Sequence, residues 1–171
     1  MNLWKVKKPK ITSEKTARKI IPAVHKKINF QPGTVNADIG GGPYELATDY
    51  LKEKGVTNIV FDPFQRSDEH NQKAVAAIKN GQADTATVAN VLNVIPDPKE
   101  RAKTIRRAAN AVGKTGVAYF QVHEGDGDGK SRATRDGWQE YRKLASYMPE
   151  IEKYFRFVTR TKGYIEARQE G

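Results

Sequence analysis

The chain has no cysteine, which removes disulfides, thiolate metal sites, iron–sulfur clusters and any cysteine nucleophile. Histidine is scarce as well: His25, His70 and His123 are far apart, and none stands at i, i+4 spacing from another. No imidazole metal site is expected, and a metal would need carboxylates. The acidic run "EGDGDG" from Glu124 fails the calcium-loop spacing, because Arg135 stands where the twelfth-position glutamate is required. No apolar run is long enough to span a bilayer. The opening "MNLWKVKKPK" is positive but lacks the apolar region of a signal peptide. These absences predict a cytoplasmic protein without membrane contact. With 171 residues and no low-complexity tract, one domain with one sizeable core is expected.

Negative charge is nearly missing from the start of the chain. Lys5, Lys7, Lys8, Lys10, Lys15, Arg18, Lys19, Lys26 and Lys27 face Glu14 alone, so most of the net charge of +10 lies before residue 31. This divides the chain into a basic segment, 1–30, and a domain, 31–171. A concentrated basic end suits a phosphate-rich partner, nucleic acid above all, or else serves as a solvated arm. Oligomeric state is not legible.

Past the basic end, periodicity switches repeatedly between strand and helix. Residues 12–28 repeat helically, with Pro22 expected to kink or split the helix. "VNADIG" from Val35 reads as a buried strand. "PYELATDYLKEKG" from Pro43 is a helix with Pro near its start and Gly at its end. "TNIVFDPF" is a second strand, Ser67 to Gly81 a helix, and "ADTATVANVLNVI" a third strand. Lys99 to Val112 is a basic helix and "TGVAYFQVH" a fourth strand. After the Gly-rich loop a helix is expected from about Trp138 to Tyr154, then a hairpin turning at "TKG". Alternation of this kind predicts a doubly wound, mostly parallel α/β sheet of about six strands in three layers, closed by an antiparallel hairpin. Its ligand crevice lies at the carboxyl ends of the strands.

Gly40, Gly41 and Gly42 stand at such an end, between a strand and a helix, where glycine permits close backbone approach to a ligand. Asp62 ends the next strand, where a carboxylate can accept from ribose hydroxyls. A dinucleotide-binding loop would have a third glycine where Glu45 stands. Glutamate there repels a pyrophosphate, so a nicotinamide dehydrogenase is the weakest reading. Asp38, facing the glycine turn, suits an amino-bearing ligand better than a phosphate.

These residues resemble the class I, Rossmann-like, S-adenosylmethionine-dependent methyltransferases. The acid-x-Gly-x-Gly motif of that family is matched by Asp38, Gly40 and Gly42, with Gly41 between them, and its ribose-holding acid by Asp62. Asp84 occupies the place of the acid that opens the family's fourth strand. Shorter motifs, "ANVLNVIPDPKERAKTIRRA" and "GDGDGKSRATRDGWQEY", resemble small methyltransferases of phage genomes and DNA-phosphorothioation gene clusters, which implies DNA modification. The resemblance implies S-adenosylmethionine as cofactor, with Asp38, the three glycines, Asp62, Asp84 and Asn90 around it. The sequence departs from the pattern in having only a helix between Asp62 and Ala83, so the family's usual third strand, which holds the adenine, is missing. Pro63 and Phe64, with Phe61, Gln82 or Asp84, are the remaining candidates for the base.

Methyl transfer from a sulfonium is an in-line displacement, which chiefly requires an aligned acceptor and, for some acceptors, a base. Asn90 and Asn93 at the third strand's end are candidates for contact with substrate, or else cap the "PDP" turn. His123 and Glu124, with Asp126 and Asp128 behind them, are candidates for the base, or else belong to a mobile solvated loop. "NVLNV" replaces the Asp/Asn-Pro-Pro-aromatic motif of amino-directed DNA methyltransferases, which disfavours adenine-N6 and cytosine-N4 methylation. The missing cysteine excludes a cytosine-C5 adduct. The expected function is methyl transfer to nucleic acid or a nucleotide. The rivals are a non-catalytic nucleic-acid binder on the same scaffold, and an enzyme that cleaves the cofactor.

Overall fold

The computed structural model describes residues 19–134 and 137–171. The helix expected over residues 12–28 lies partly outside them. Its described part begins after Pro22, which takes the N-cap position of α1 (Ala23–Lys27). Proline lacks an N–H to donate and fixes φ, so it opens this helix where it would have broken a longer one.

Six strands form one sheet, in which the first strand lies between the second and the third. Its members are β1 (Val35–Ile39), β2 (Thr57–Phe61), β3 (Thr85–Ala89), β4 (Val117–Gln121), β7 (Phe157–Thr161) and β8 (Tyr164–Arg168), in the spatial order β2-β1-β3-β4-β8-β7. β1 to β4 are parallel, and β8 and β7 run antiparallel as the C-terminal hairpin. The expected fold class holds, including the missing strand: β2 is the edge where another strand would continue the sheet.

The helices α2 (Leu46–Glu53), α3 (Asp68–Ile78), α4 (Pro98–Val112) and α5 (Met148–Ile151) complete the layers. Ser67 Oγ caps α3 and Asp97 caps α4, each accepting from a backbone N–H in the first turn. The main core lies between the sheet and α3, α4 and α5, built of Ile39, Phe61, Ile105, Phe120, Ile151 and Ile165 among others. A smaller cluster of Phe30, Leu51 and Val56 sits under α2.

The bare edge of β2 is protected by α3. Asn71 donates from Nδ2 to Asp62 O (2.9 Å) and accepts at Oδ1 from Asp62 N (3.1 Å), so one side-chain amide does what a neighbouring strand would do. His70 Nε2 lies 2.7 Å from Val60 O; a carbonyl only accepts, so that nitrogen carries the proton. Beside this edge runs a cavity of about 280 Å³ lined by Thr48, Asn58, Val60, His70 and Ala74.

One expectation is corrected. Residues from Trp138 onward do not form a single helix: β5 (Ser131–Thr134) and β6 (Gly137–Glu140) pair as a separate antiparallel hairpin, followed by a 3-10 turn at Leu144–Tyr147 and then α5. The apolar spacing of Leu144, Tyr147, Met148 and Ile151 is helical, but upstream of it the ladder wins. It is extended by Gly129 N donating to Tyr141 O (2.8 Å) and Tyr141 N to Lys130 O (3.0 Å). Among the described residues no helix is long and apolar enough to cross a membrane.

Candidate cofactor crevice

The crevice is built at the carboxyl ends of β1, β2 and β3. Gly40 (φ 76°) and Gly42 (φ 78°) adopt the left-handed conformation that favours glycine. Gly41 is required for another reason: a Cβ there would lie 2.8 Å from Asp38 Oδ2 and 2.9 Å from Val60 Cγ1.

Asp38 is 2% exposed and committed to protein partners. It accepts from Thr87 Oγ1 (2.9 Å) and Asn58 Nδ2 (3.3 Å), and its Oδ2 lies 3.3 Å from Nε2 of His25, which is fully buried. Burial by itself would raise the Asp38 carboxyl, but the charge and hydrogen bond of His25, with those of Thr87 and Asn58, hold it below its ordinary value. His25 was legible only as an isolated histidine. Its role comes from α1 folding back onto β3 and β4, a contact without a sequence signal.

Asp62 is differently placed. Its Oδ2 accepts from Gly42 N (2.9 Å), and its Oδ1 from Phe64 N and Gln65 N (3.0 Å each). Burial raises this carboxyl above its usual value, against the lowering effect of the three amides and Arg66. A carboxylate has about four acceptor sites. Three amides leave about one for a ligand hydroxyl. Arg66, which no motif in the sequence singles out, grips the other side of the turn: Nε donates to Gly42 O (2.8 Å), Nη2 to Tyr44 O (3.3 Å), and Nη1 pairs with Glu45 (2.5 Å). The Gly42 residue is thus held at its N–H by Asp62 and at its carbonyl by Arg66.

The remaining candidates separate. Pro63 and Phe64 are half-buried beside Asp62, where a base could pack. Asn90 (φ 59°) stands at the β3 tip, and the adjoining Val91 leans on the glycine turn, its Cγ2 2.6 Å from where a Gly40 Cβ would be. Asn93 is 1% exposed, and its Oδ1 lacks a hydrogen-bond partner among the described residues, so it is buried in the fold instead of opening to solvent. Asp84 precedes β3 at the opposite end of the sheet and accepts from Val35 N (2.9 Å). Because parallel strands place all their carboxyl ends on one side, a residue ahead of the strand cannot reach the crevice from there.

Among the proposed bases, His123 is exposed, its ring edge-on to Tyr141 at 6.1 Å. Glu124 Oε2 accepts from Leu144 N (2.6 Å), which fixes the start of the 3-10 turn. Asp126 and Asp128 both pair with Arg132, at 3.1 and 2.7 Å. The loop expected to be free is tied to the β5–β6 hairpin.

The chain matches the methyltransferase-domain family over residues 14–160. It belongs to that family. No curated protein sequence matches it. Among solved structures, an S-adenosylmethionine-dependent methyltransferase of Methanosarcina mazei superposes with a TM-score of 0.61 at 15% identity, covering 90% of this chain and 100% of that one. The Burkholderia thailandensis 1,6-didemethyltoxoflavin-N1-methyltransferase, solved with its substrate and S-adenosylhomocysteine, gives 0.60 at 17%, covering 95% and 80%. A Rhodobacter sphaeroides protein described as a Zn-dependent alcohol dehydrogenase gives 0.59 at 13%, covering 85% and 87%, a likeness of fold. Together these methyltransferase matches support S-adenosylmethionine as the cofactor. The donor set agrees: a glycine turn, a residual acceptor site on Asp62 for a ribose hydroxyl, and an apolar pair for the base.

Proposed function

We propose that this methyltransferase-domain protein transfers a methyl group from S-adenosylmethionine to nucleic acid or a nucleotide. The observation that carries the cofactor half is the clamped glycine turn, with Asp62 and Arg66 holding opposite ends of Gly42. When bound, the sulfonium supplies an electrophilic methyl group. The turn gives it a backbone surface without side chains, Asp62 accepts from the ribose, and Pro63 and Phe64 cover the base where the usual strand is missing. Asn90 at the β3 tip faces the cofactor's amino-acid part or the acceptor. His123 is the exposed group positioned to accept a proton if the acceptor must lose one.

The acceptor half rests on charge. Lys27 Nζ lies 3.5 Å from Lys162 O, so α1 and the β7–β8 turn bring cations together at the crevice end of the sheet, and six more lysines and arginines precede Lys19 in the sequence. A phosphate backbone suits such a rim. DNA is therefore the first acceptor to test, in keeping with the phage and DNA-modification resemblance. Calorimetric titration with S-adenosylhomocysteine should give micromolar binding that Asp62→Ala reduces at least about tenfold, the scale of a lost charged hydrogen bond. Absence of binding to the unaltered protein would leave the basic rim as the functional element, in a nucleic-acid binder without catalysis.

A further inference from the structure

The polarity of one amide at the crevice is set from α1, which packs on β3 and β4. Val24 N, in α1, lies 2.7 Å from Gln121 Oε1 at the end of β4. A backbone N–H only donates, so the Gln121 atom facing it is the carbonyl oxygen. The other end of the same side chain is then an NH₂, which only donates. It lies 3.1 Å from Asn90, so Asn90 must turn its Oδ1 toward it. Asn90 N also donates to Gln121 O (2.8 Å), which fixes the backbone beneath the side chain. The consequence is that the Asn90 NH₂, next in sequence to the Val91 that leans on the glycine turn, is left without a hydrogen-bond partner among the described residues.

A second donor stands close by. Of the three glycine amides, Gly40 N is bound by Phe61 O (2.7 Å) and Gly42 N by Asp62, while Gly41 N has no hydrogen-bond partner among the described residues. The two neighbouring carboxylates are engaged by protein donors: Asp38 by Thr87, Asn58 and His25, and Asp62 by three amides. This corner of the crevice therefore offers donors, and donors recognise an anionic oxygen.

We propose that Val24, Gln121 and Asn90 form a relay that aims the Asn90 NH₂ at the carboxylate of the cofactor's amino-acid moiety. Asn90 is the contact, and Gln121 is a positioning residue that acts through it. The inference rests on the cofactor reading above and specifies which part of the ligand these residues read.

The test uses two thioethers that share the adenosine half. S-adenosylhomocysteine carries the amino-acid carboxylate and 5′-methylthioadenosine does not. Both are titrated calorimetrically into the full chain, into Gln121→Glu and into Asn90→Asp. Glutamate at 121 still accepts from Val24 but has nothing to donate, so Asn90 turns its NH₂ inward and shows Oδ1 to the ligand. Aspartate at 90 replaces the donor itself without altering α1. The expected result is that both variants lose at least about tenfold in affinity for S-adenosylhomocysteine and stay within about twofold for 5′-methylthioadenosine. Retained methylthioadenosine binding shows that the crevice is folded, which a merely structural role for Gln121 would not combine with a selective loss. Equal losses for both ligands, or no loss for either, would overturn the relay while leaving the cofactor reading intact. If the unaltered chain binds neither ligand, the cofactor reading fails and the relay fails with it.

Discussion

Toward α3 and α4, the four parallel strands present Ala37, Ile39, Phe61, Ala86, Val88, Ala118 and Phe120, all buried and continuous with the main core. Toward α1 and α2 the same strands present Asn36, Asp38, Asn58, Thr85, Thr87 and Gln121. The first five are joined in a chain of hydrogen bonds that reaches Thr48 on α2 and His25 on α1, and Gln121 accepts separately from Val24 N of the same helix. Alternation along each strand makes both faces from one sequence. The apolar face is non-directional and tolerant of small shifts. The polar face works only while every partner is in place, since an unpaired buried polar group costs more than its bond contributes. The site is built on this second face, which aims individual atoms.

The largest effect that would sharpen this contrast is on the apolar side. Phe120 is fully buried and packs edge-on to Phe155 at 6.0 Å between ring centroids. Phe120→Ala should destabilise the fold by about 3–5 kcal/mol in urea denaturation, without a selective effect on cofactor binding under conditions where it stays folded. A selective loss of binding would break the separation of the two faces.

A somewhat smaller change is expected on the polar side, with a different signature. His25→Ala leaves Asp38 with one partner fewer and should cost about 3 kcal/mol. It should also weaken S-adenosylhomocysteine binding, because Asp38 lies directly under Gly41. A stability loss with unchanged affinity would show that the buried network serves folding alone.

The smallest effect concerns an exception on the apolar side. Tyr147 is fully buried, yet its hydroxyl has no hydrogen-bond partner among the described residues, and burial, with minor contributions from nearby charges, pushes its pKa from 10.0 up to about 12. Because the folded-state value is the higher, the neutral form is favoured in the fold. Stability is full below pH 10 and declines as pH rises toward 12. Tyr147→Phe should add about 1 kcal/mol at neutral pH and flatten that alkaline decline, both read from thermal melts across pH.

Local rules sufficed for much of this protein. Strand and helix periods placed β1 to β4, the intervening helices and the terminal hairpin, and the short interval between Asp62 and Ala83 announced the missing strand. Gly40 to Gly42 and Asp62 were legible because a glycine turn after a strand, with an acid ending the next strand, is a pattern within one stretch of chain. The hairpin at β5–β6 was not legible, since the helical spacing downstream masked a ladder that pairs residues as far apart as Ser131 and Glu140. Asp84 was misplaced because a motif position carries no information about which end of the sheet it occupies.

The sequence by itself determined the layers, the succession of strands and helices and the glycine turn, because each follows from periodicity and backbone freedom among near neighbours. Only the tertiary structure decided that His25 would lie against Asp38, that Arg66 would clamp Gly42, and that Val24, 97 residues from Gln121, would orient Asn90. Those contacts depend on where α1 and the β2–α3 connection come to rest on a finished sheet. Hydrogen-bond polarity exists only once both partners are in place.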